Sequence, residues 1–252
     1  MVGPPADPGI SQDPISAIAR NVLASREFKA VFFDLDGTLV DIHGPLYIAA
    51  KSALDELGHQ PPLTNERFRE ALAADDVWLG VPKDLRPEYV KLAHAYFLAE
   101  IDKTERLEVL PHVYETLAEL KRRGYATAVI TSRPGDSQLL FEKLAMVGLA
   151  SYLDHVVTQS TGSLRGLDKT DSLKQTALKA AMHPRACMYV GDEPRDVMAA
   201  INAGYGASVA VATGAASFGY LRSHPQFKPD YVIRSMSELI DLLDNLKAER
   251  VE

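Results

Sequence analysis

Residues 30–41 read AVFFDLDGTLVD, and the fold follows from this stretch. Ala30 to Phe33 form a short apolar run that stops at Asp34, the pattern of a buried parallel strand whose C-terminal end opens into a site. Three later segments repeat it: TAVITSRP at 127–134, ACMYVGDEPRD at 186–196 and ASVAVATG at 207–214. Each is an apolar run that finishes in small, polar or glycine-containing residues. Leu153 to Thr158 is a weaker strand candidate, and Tyr231 to Ile233 reads as an edge strand. Helical patterns lie between them at 111–123, 137–147, 171–181, 194–203 and 237–247. This alternation predicts an α/β fold: a Rossmann-like, three-layer, mostly parallel sheet covered by helices on both faces.

Residues 43–107 break the alternation. Amphipathic stretches at 49–57, 65–74 and 88–101, punctuated by Pro61, Pro62 and LGVPKDLRP at 79–87, predict a small helical domain inserted after the first strand. The expected division is therefore an N-terminal extension at 1–27, a core built from 28–42 and 108–252, and a helical cap at 43–107. The opening MVGPPADPG resists regular structure, and Ile15 to Leu23 carry a weak helical pattern that either packs on the body or forms a disordered arm.

Composition narrows the function classes. The 252 residues are 46 % hydrophobic, enough for a large core. Acidic residues outnumber basic ones by 34 to 27, a net charge of -7 that repels nucleic acid and anionic membrane surfaces. The single cysteine, Cys187, sits among apolar neighbours and reads as a buried reduced thiol. No apolar stretch approaches the roughly 18 residues of a membrane span, and residues 1–27 lack a signal-peptide core. A cytoplasmic protein with no membrane and no nucleic-acid partner is expected; monomer and homodimer are both open.

The chemistry concentrates at the strand ends. Asp34 and Asp36, one residue apart, can serve one centre: one carboxylate attacks or holds a cation while the other moves protons. Alone, such a pair is equally a loop or helix-capping feature. Gly37 permits a tight turn and Thr38 can fix the loop. Thr131 and Ser132, with Asp192 and Asp196, put polar groups at the ends of other strands, where they can converge on one crevice.

With these blocks in order, residues 29–245 resemble the haloacid dehalogenase superfamily, in its phosphatase-like branch with a helical cap. The resemblance implies a magnesium-dependent phosphate-monoester hydrolase. It makes Asp34 the nucleophile that forms an aspartyl-phosphate, and Asp36 the acid and base. Mg2+ would be held by Asp34, the Asp36 carbonyl and Asp192. Asp196 either binds the metal, orients a metal water or bonds the phosphate-holding lysine. Thr131 would hold a phosphoryl oxygen, with the Ser132 amide assisting, while Arg133 either contributes or faces solvent.

The family's lysine-proline signature is absent. In SLRGLDKTDSLKQTALKA at 163–180, Lys169 is the choice because it precedes a helix that Thr170 or Asp171 could cap; Lys174 and Arg165 are the alternatives. Gly37, Thr38, His43, Ser132, Lys83 and Arg86 are candidate substrate contacts. Trp78, Tyr89, Tyr96 and Phe97 read as cap packing. The expected substrate is a small phosphorylated metabolite such as phosphoglycolate, a sugar phosphate or a nucleoside monophosphate. A beta-phosphoglucomutase-like phosphomutase and a noncatalytic protein on the same fold are the alternatives; the acid at Asp36 disfavours halide removal.

Overall fold

The computed structural model describes residues 27–59, 62–74, 76, 78–103, 107–159, 168–224 and 226–249. The N-terminal helical pattern and Arg165 lie outside them. Six parallel strands form one sheet: β1 (Ala30–Phe33), β2 (Ala126–Pro134), β3 (His155–Gln159), β4 (Cys187–Gly191), β5 (Ala207–Val211) and β6 (Tyr231–Ile233). Their spatial order is β3-β2-β1-β4-β5-β6, so the chain starts in the middle, winds to one edge and crosses back. β1 and β4 are central neighbours, with Phe33 opposite Val190, and this register puts Asp34 and Asp192 at the same end of the sheet.

Both faces of the sheet are covered, which is why β1 is apolar throughout instead of alternating. Val31 and Phe33 point into a cluster with Leu117 and Leu120 of α4 (Val113–Arg122), Leu140 and Leu144 of α5 (Ser137–Met146), and Leu239 and Leu243 of α9 (Leu239–Ala248). Ala30 and Phe32 point the other way, against Leu173 of α6 (Thr170–Lys179) and Ala199 and Ala203 of α7 (Pro194–Ala203). Cys187 belongs to this second cluster, and burial pushes its thiol up to about 12.

Between β1 and β2 lies the inserted helical cap: α1 (His43–Glu56), α2 (Asn65–Ala73) and α3 (Arg86–Lys103). Thr64 caps α2 by accepting from the Arg67 amide. The helices close over their own small core of Ala53, Leu54, Phe68, Leu72 and Tyr89, with Trp78 packed against it. The chain enters and leaves the cap side by side. The Asp41 amide donates to the Glu108 carbonyl and the Leu110 amide to the Leu39 carbonyl, so both connections are pinned next to the nucleophile loop.

Two elements differ from the sequence-based expectation. The segment after β5 contains a short helix, α8 (Phe218–Ser223), whose start is capped by the Ser217 hydroxyl; the aromatic and glycine-rich composition of 217–220 conceals it. The last helical pattern splits into a 3-10 turn at Met236–Glu238 and α9. Among the described residues no helix is long and apolar enough to cross a membrane.

Candidate active site

The strand ends deliver their side chains to one buried cluster. The Asp34 amide still bonds the Val190 carbonyl of β4, so the carboxylate leaves the sheet from a fixed backbone. Lys169, immediately before α6, places its ammonium 2.7 Å from Asp34 Oδ1 and donates to Asp196 Oδ1 at 2.7 Å. Asp196 sits in the first turn of α7, and its other oxygen accepts from the Glu193 amide at 3.1 Å. Asp192 follows β4, nine-tenths or more buried, and accepts from the Thr38 hydroxyl at 3.3 Å.

Glycine makes room for these carboxylates. Gly37 has a φ of +74°, and a Cβ there would lie 2.5 Å from Asp192 Oδ2. Gly214 approaches the same oxygen from the β5 side, where a Cβ would lie 1.8 Å away. Its role is this close approach; it does not adopt a left-handed backbone.

Burial dominates the electrostatics. It pushes Asp34 up to about 8, against the opposing pull of Lys169 and with the repulsion of Asp196 and Asp36 added. Asp192 is held well above the carboxylate range by burial first, then by Glu193, Asp34 and Asp196. Burial opposes the Lys169 charge, but Asp196 and Asp34 outweigh it and hold its pKa well above normal. Asp34, Asp192 and Asp196 each offer an oxygen within 4.8 Å of the others, with one ammonium among them. The Lys169 ammonium is the polar side-chain contact of Asp34 Oδ1 among the described residues. Three clustered carboxylates with a single ammonium among them supply the oxygen ligands and negative charge that suit a hard divalent cation such as Mg2+.

Asp36 stands beside this cluster and faces a cavity of about 280 Å³ between core and cap. Arg133 grips it in bidentate fashion with one edge of the guanidinium, Nε to Oδ2 at 2.8 Å and Nη2 to Oδ1 at 2.5 Å. The Arg133 amide in turn donates to the Thr131 hydroxyl at 3.1 Å, which leaves the Thr131 proton free for another acceptor.

A family model for haloacid dehalogenase-like hydrolases matches residues 28–204. The chain belongs to this family. Its catalytic aspartate cluster is that of a phosphatase-type hydrolase. Two relatives show how broad the family's chemistry is at this distance. A phosphoglycolate phosphatase of Vibrio parahaemolyticus is 28 % identical over 88 % of this chain and 98 % of its own. A pyrophosphatase PpaX of Bacillus velezensis is 28 % identical over 87 % of this chain and 98 % of its own. A haloacid dehalogenase-like hydrolase of Streptococcus pneumoniae shares the fold with a TM-score of 0.61, at 22 % identity over 85 % and 98 % of the two chains.

Within this hydrolase the sequence-predicted residues divide. Asp34, Asp36, Thr131, Ser132, Lys169 and Asp196 line the cavity. Asp192, Gly37 and Thr38 stand behind them; the Thr38 hydroxyl holds Asp192 and does not reach the cavity. His43, Lys83 and Arg86 are not brought to the cavity wall, contrary to expectation. His43 begins α1 with its Nδ1 2.6 Å from Asp41 and faces a different cleft. Arg86 lies over the Trp78 ring at 4.5 Å and donates to the Val81 carbonyl, while Lys83 sits exposed in a turn. Lys174 is exposed on α6; Lys169 itself occupies the N-cap position, and Asp168 just before it accepts from the Thr170 amide.

Arg133, Tyr89 and Phe97 are the residues that sequence reasoning undervalued. Arg133 lies between Ile130 and Pro134, where the register of β2 against β3 shifts, so strand alternation gives no signal for its direction. Tyr89 and Phe97 read as packing, yet both line the cavity because α3 is apolar on more than one face.

Proposed function

We propose that this hydrolase releases inorganic phosphate from a small organic phosphate monoester in two steps at Asp34. The observation that carries the reading is the contact of a buried Asp34 with Lys169 at the polar end of a capped cavity that also holds Asp36 and Thr131. Asp34 and Asp192, with the Asp36 carbonyl, would hold Mg2+, which when bound offsets the negative charge of the phosphoryl oxygens. Asp34 attacks phosphorus, and the bond to the leaving alcohol breaks as Asp36 protonates that oxygen. Asp36 then takes a proton from the water that cleaves the aspartyl-phosphate, which returns Asp34 to its carboxylate form.

The other groups position and neutralise. Lys169 balances Asp34 and the incoming phosphoryl group, and Asp196 holds Lys169 in place instead of serving as a metal ligand. Thr131 donates to a phosphoryl oxygen. Arg133 orients Asp36. In this reading residues 43–107 form the cap over a catalytic unit of 28–42 and 108–252, and the substrate is a small cytoplasmic phosphorylated metabolite. Phosphoglycolate, sugar phosphates and nucleoside monophosphates are the candidate classes; the Bacillus velezensis pyrophosphatase adds pyrophosphate, an anhydride open to the same two steps. The described cap residues on the cavity wall include no lysine or arginine, which favours hydrolysis over a mutase that must retain a second phosphoryl group.

Phosphate release measured over a panel of monoesters, with Mg2+ and with EDTA, tests this reading. Turnover that requires Mg2+ and disappears in folded Asp34→Asn supports it; metal-independent turnover, or an active Asp34→Asn, refutes it.

A further inference from the structure

The cavity has two unlike walls. The core side supplies all of its carboxylates and described cations, and each cation already has a partner inside the protein. Lys169 contacts Asp34 and Asp196, Arg133 clamps Asp36, and Arg195 donates to Glu193 at 2.6 Å. The cap side is built from Leu46, Phe68, Leu72, Phe97, Leu98 and Ile101, with alanines between them. The only polar side chains the cap adds among the described residues are those of Tyr89 and His94, the first buried and the second exposed.

This asymmetry bears on the leaving group, because the phosphoryl group must lie at the Asp34 and Lys169 end and the rest of the molecule must lie against the cap. A carboxylate there would meet mainly leucine, phenylalanine and isoleucine, with no lysine or arginine among the described cap residues to pair with it. The several hydroxyls of a sugar would find only the Tyr89 hydroxyl and the His94 ring as polar partners among the described cap residues of that wall. An apolar group would instead gain by leaving water. The volume of about 280 Å³ lies just below the roughly 300–1,000 Å³ typical of small-molecule sites, which favours a compact group over a nucleoside.

From this we infer that the preferred substrate is the monoester of an uncharged, largely apolar alcohol, a short alkyl or single-ring aryl phosphate, and that the cap wall selects it. The inference rests on the phosphatase reading above and narrows its substrate class. Leu46, Phe97 and Ile101 are specificity-determining contacts in this account, whereas the core wall acts on the phosphoryl group alone.

The test uses the full chain with Mg2+ and measures phosphate release from methyl, propyl and hexyl phosphate, phenyl phosphate, 2-phosphoglycolate, glucose 6-phosphate and pyrophosphate. We expect kcat/KM to rise about fourfold per added methylene until the cavity is full, mainly through KM. Phosphoglycolate and glucose 6-phosphate should fall at least about tenfold below hexyl phosphate. Phe97→Ala should lower kcat/KM for hexyl phosphate by more than for methyl phosphate, and Leu46→Arg should shift preference toward phosphoglycolate. A profile that is flat along the alkyl series, or a preference of the unaltered protein for phosphoglycolate, the sugar phosphate or pyrophosphate, overturns the inference and leaves the phosphatase reading standing. Absence of phosphate release from every monoester, in protein shown to be folded, overturns both.

Discussion

The core wall of the cavity and its cap wall are made by different rules. Every functional side chain of the core wall stands at or just beyond a strand end, or at the start of the helix that follows, so the backbone fixes its position before packing begins. The Asp34 amide is bonded to β4, Asp196 lies in the first turn of α7, and Lys169 precedes α6. The cap wall has no such anchors. Its contacts are apolar faces of α1, α2 and α3, and the same helices must also fill the cap's own core. One wall therefore specifies a reaction through a few charged groups, and the other specifies a shape through many interchangeable ones.

Substitutions separate the two walls by the size of their effects. Asp34→Asn removes the carboxylate proposed to attack phosphorus, and we expect phosphate release to fall by at least about a thousandfold while circular dichroism and thermal melting show a folded protein. Lys169→Met is next. Turnover should drop about a hundredfold, and the metal-free protein should lose about 3 kcal/mol in denaturant unfolding, because Asp34 and Asp196 stay buried without their ammonium. Lys169→Met with near-normal turnover would remove Lys169 from the chemistry.

Arg133→Ala tests the positioning of Asp36. Loss of the bidentate grip should lower kcat about tenfold with a smaller change in KM, and Arg133→Lys should not restore it, because an ammonium cannot make the paired contact. An increase in KM alone would make Arg133 a substrate contact instead.

A further effect falls on the pH dependence of the stability of the metal-free protein. Asp34 is raised in the folded state to about 8, above its unfolded value, so its contribution to stability is fully present below the ordinary carboxylate range and is lost as pH rises toward 8. Asp192 shifts in the same direction. In EDTA the melting temperature should fall between pH 5 and pH 8, the slope should be shallower in Asp34→Asn, and Mg2+ should restore more at pH 8 than at pH 5. An equal slope in the variant would show that the Asp34 carboxylate is not the strained group.

The same contrast explains what the sequence could show. The run from Ala30 to Phe33 ends at Asp34 in both sequence and structure, because a strand buried on both faces has a sharp apolar signature. Lys169 was legible through its place before α6, even without the familiar neighbouring residues. Arg133 was less so, since nothing local distinguishes an arginine that folds back onto Asp36 from one that faces water. Arg86 shows the converse: a basic residue in an irregular segment looked available, but Trp78 and the Val81 carbonyl hold it within the cap. Tyr89 and Phe97 were hidden for a third reason. A helix apolar on two faces has no single stripe to read, and only tertiary packing decides which face meets the cavity.

The central claim is that the core wall carries out covalent phosphoryl transfer at Asp34. Acid quenching during turnover, followed by peptide mass analysis, tests it most directly. The account predicts a phosphoryl adduct on the peptide that contains Asp34, formed with Mg2+ and absent in Asp34→Asn. Undiminished phosphate release from Asp34→Asn, with no adduct at that residue, would contradict it.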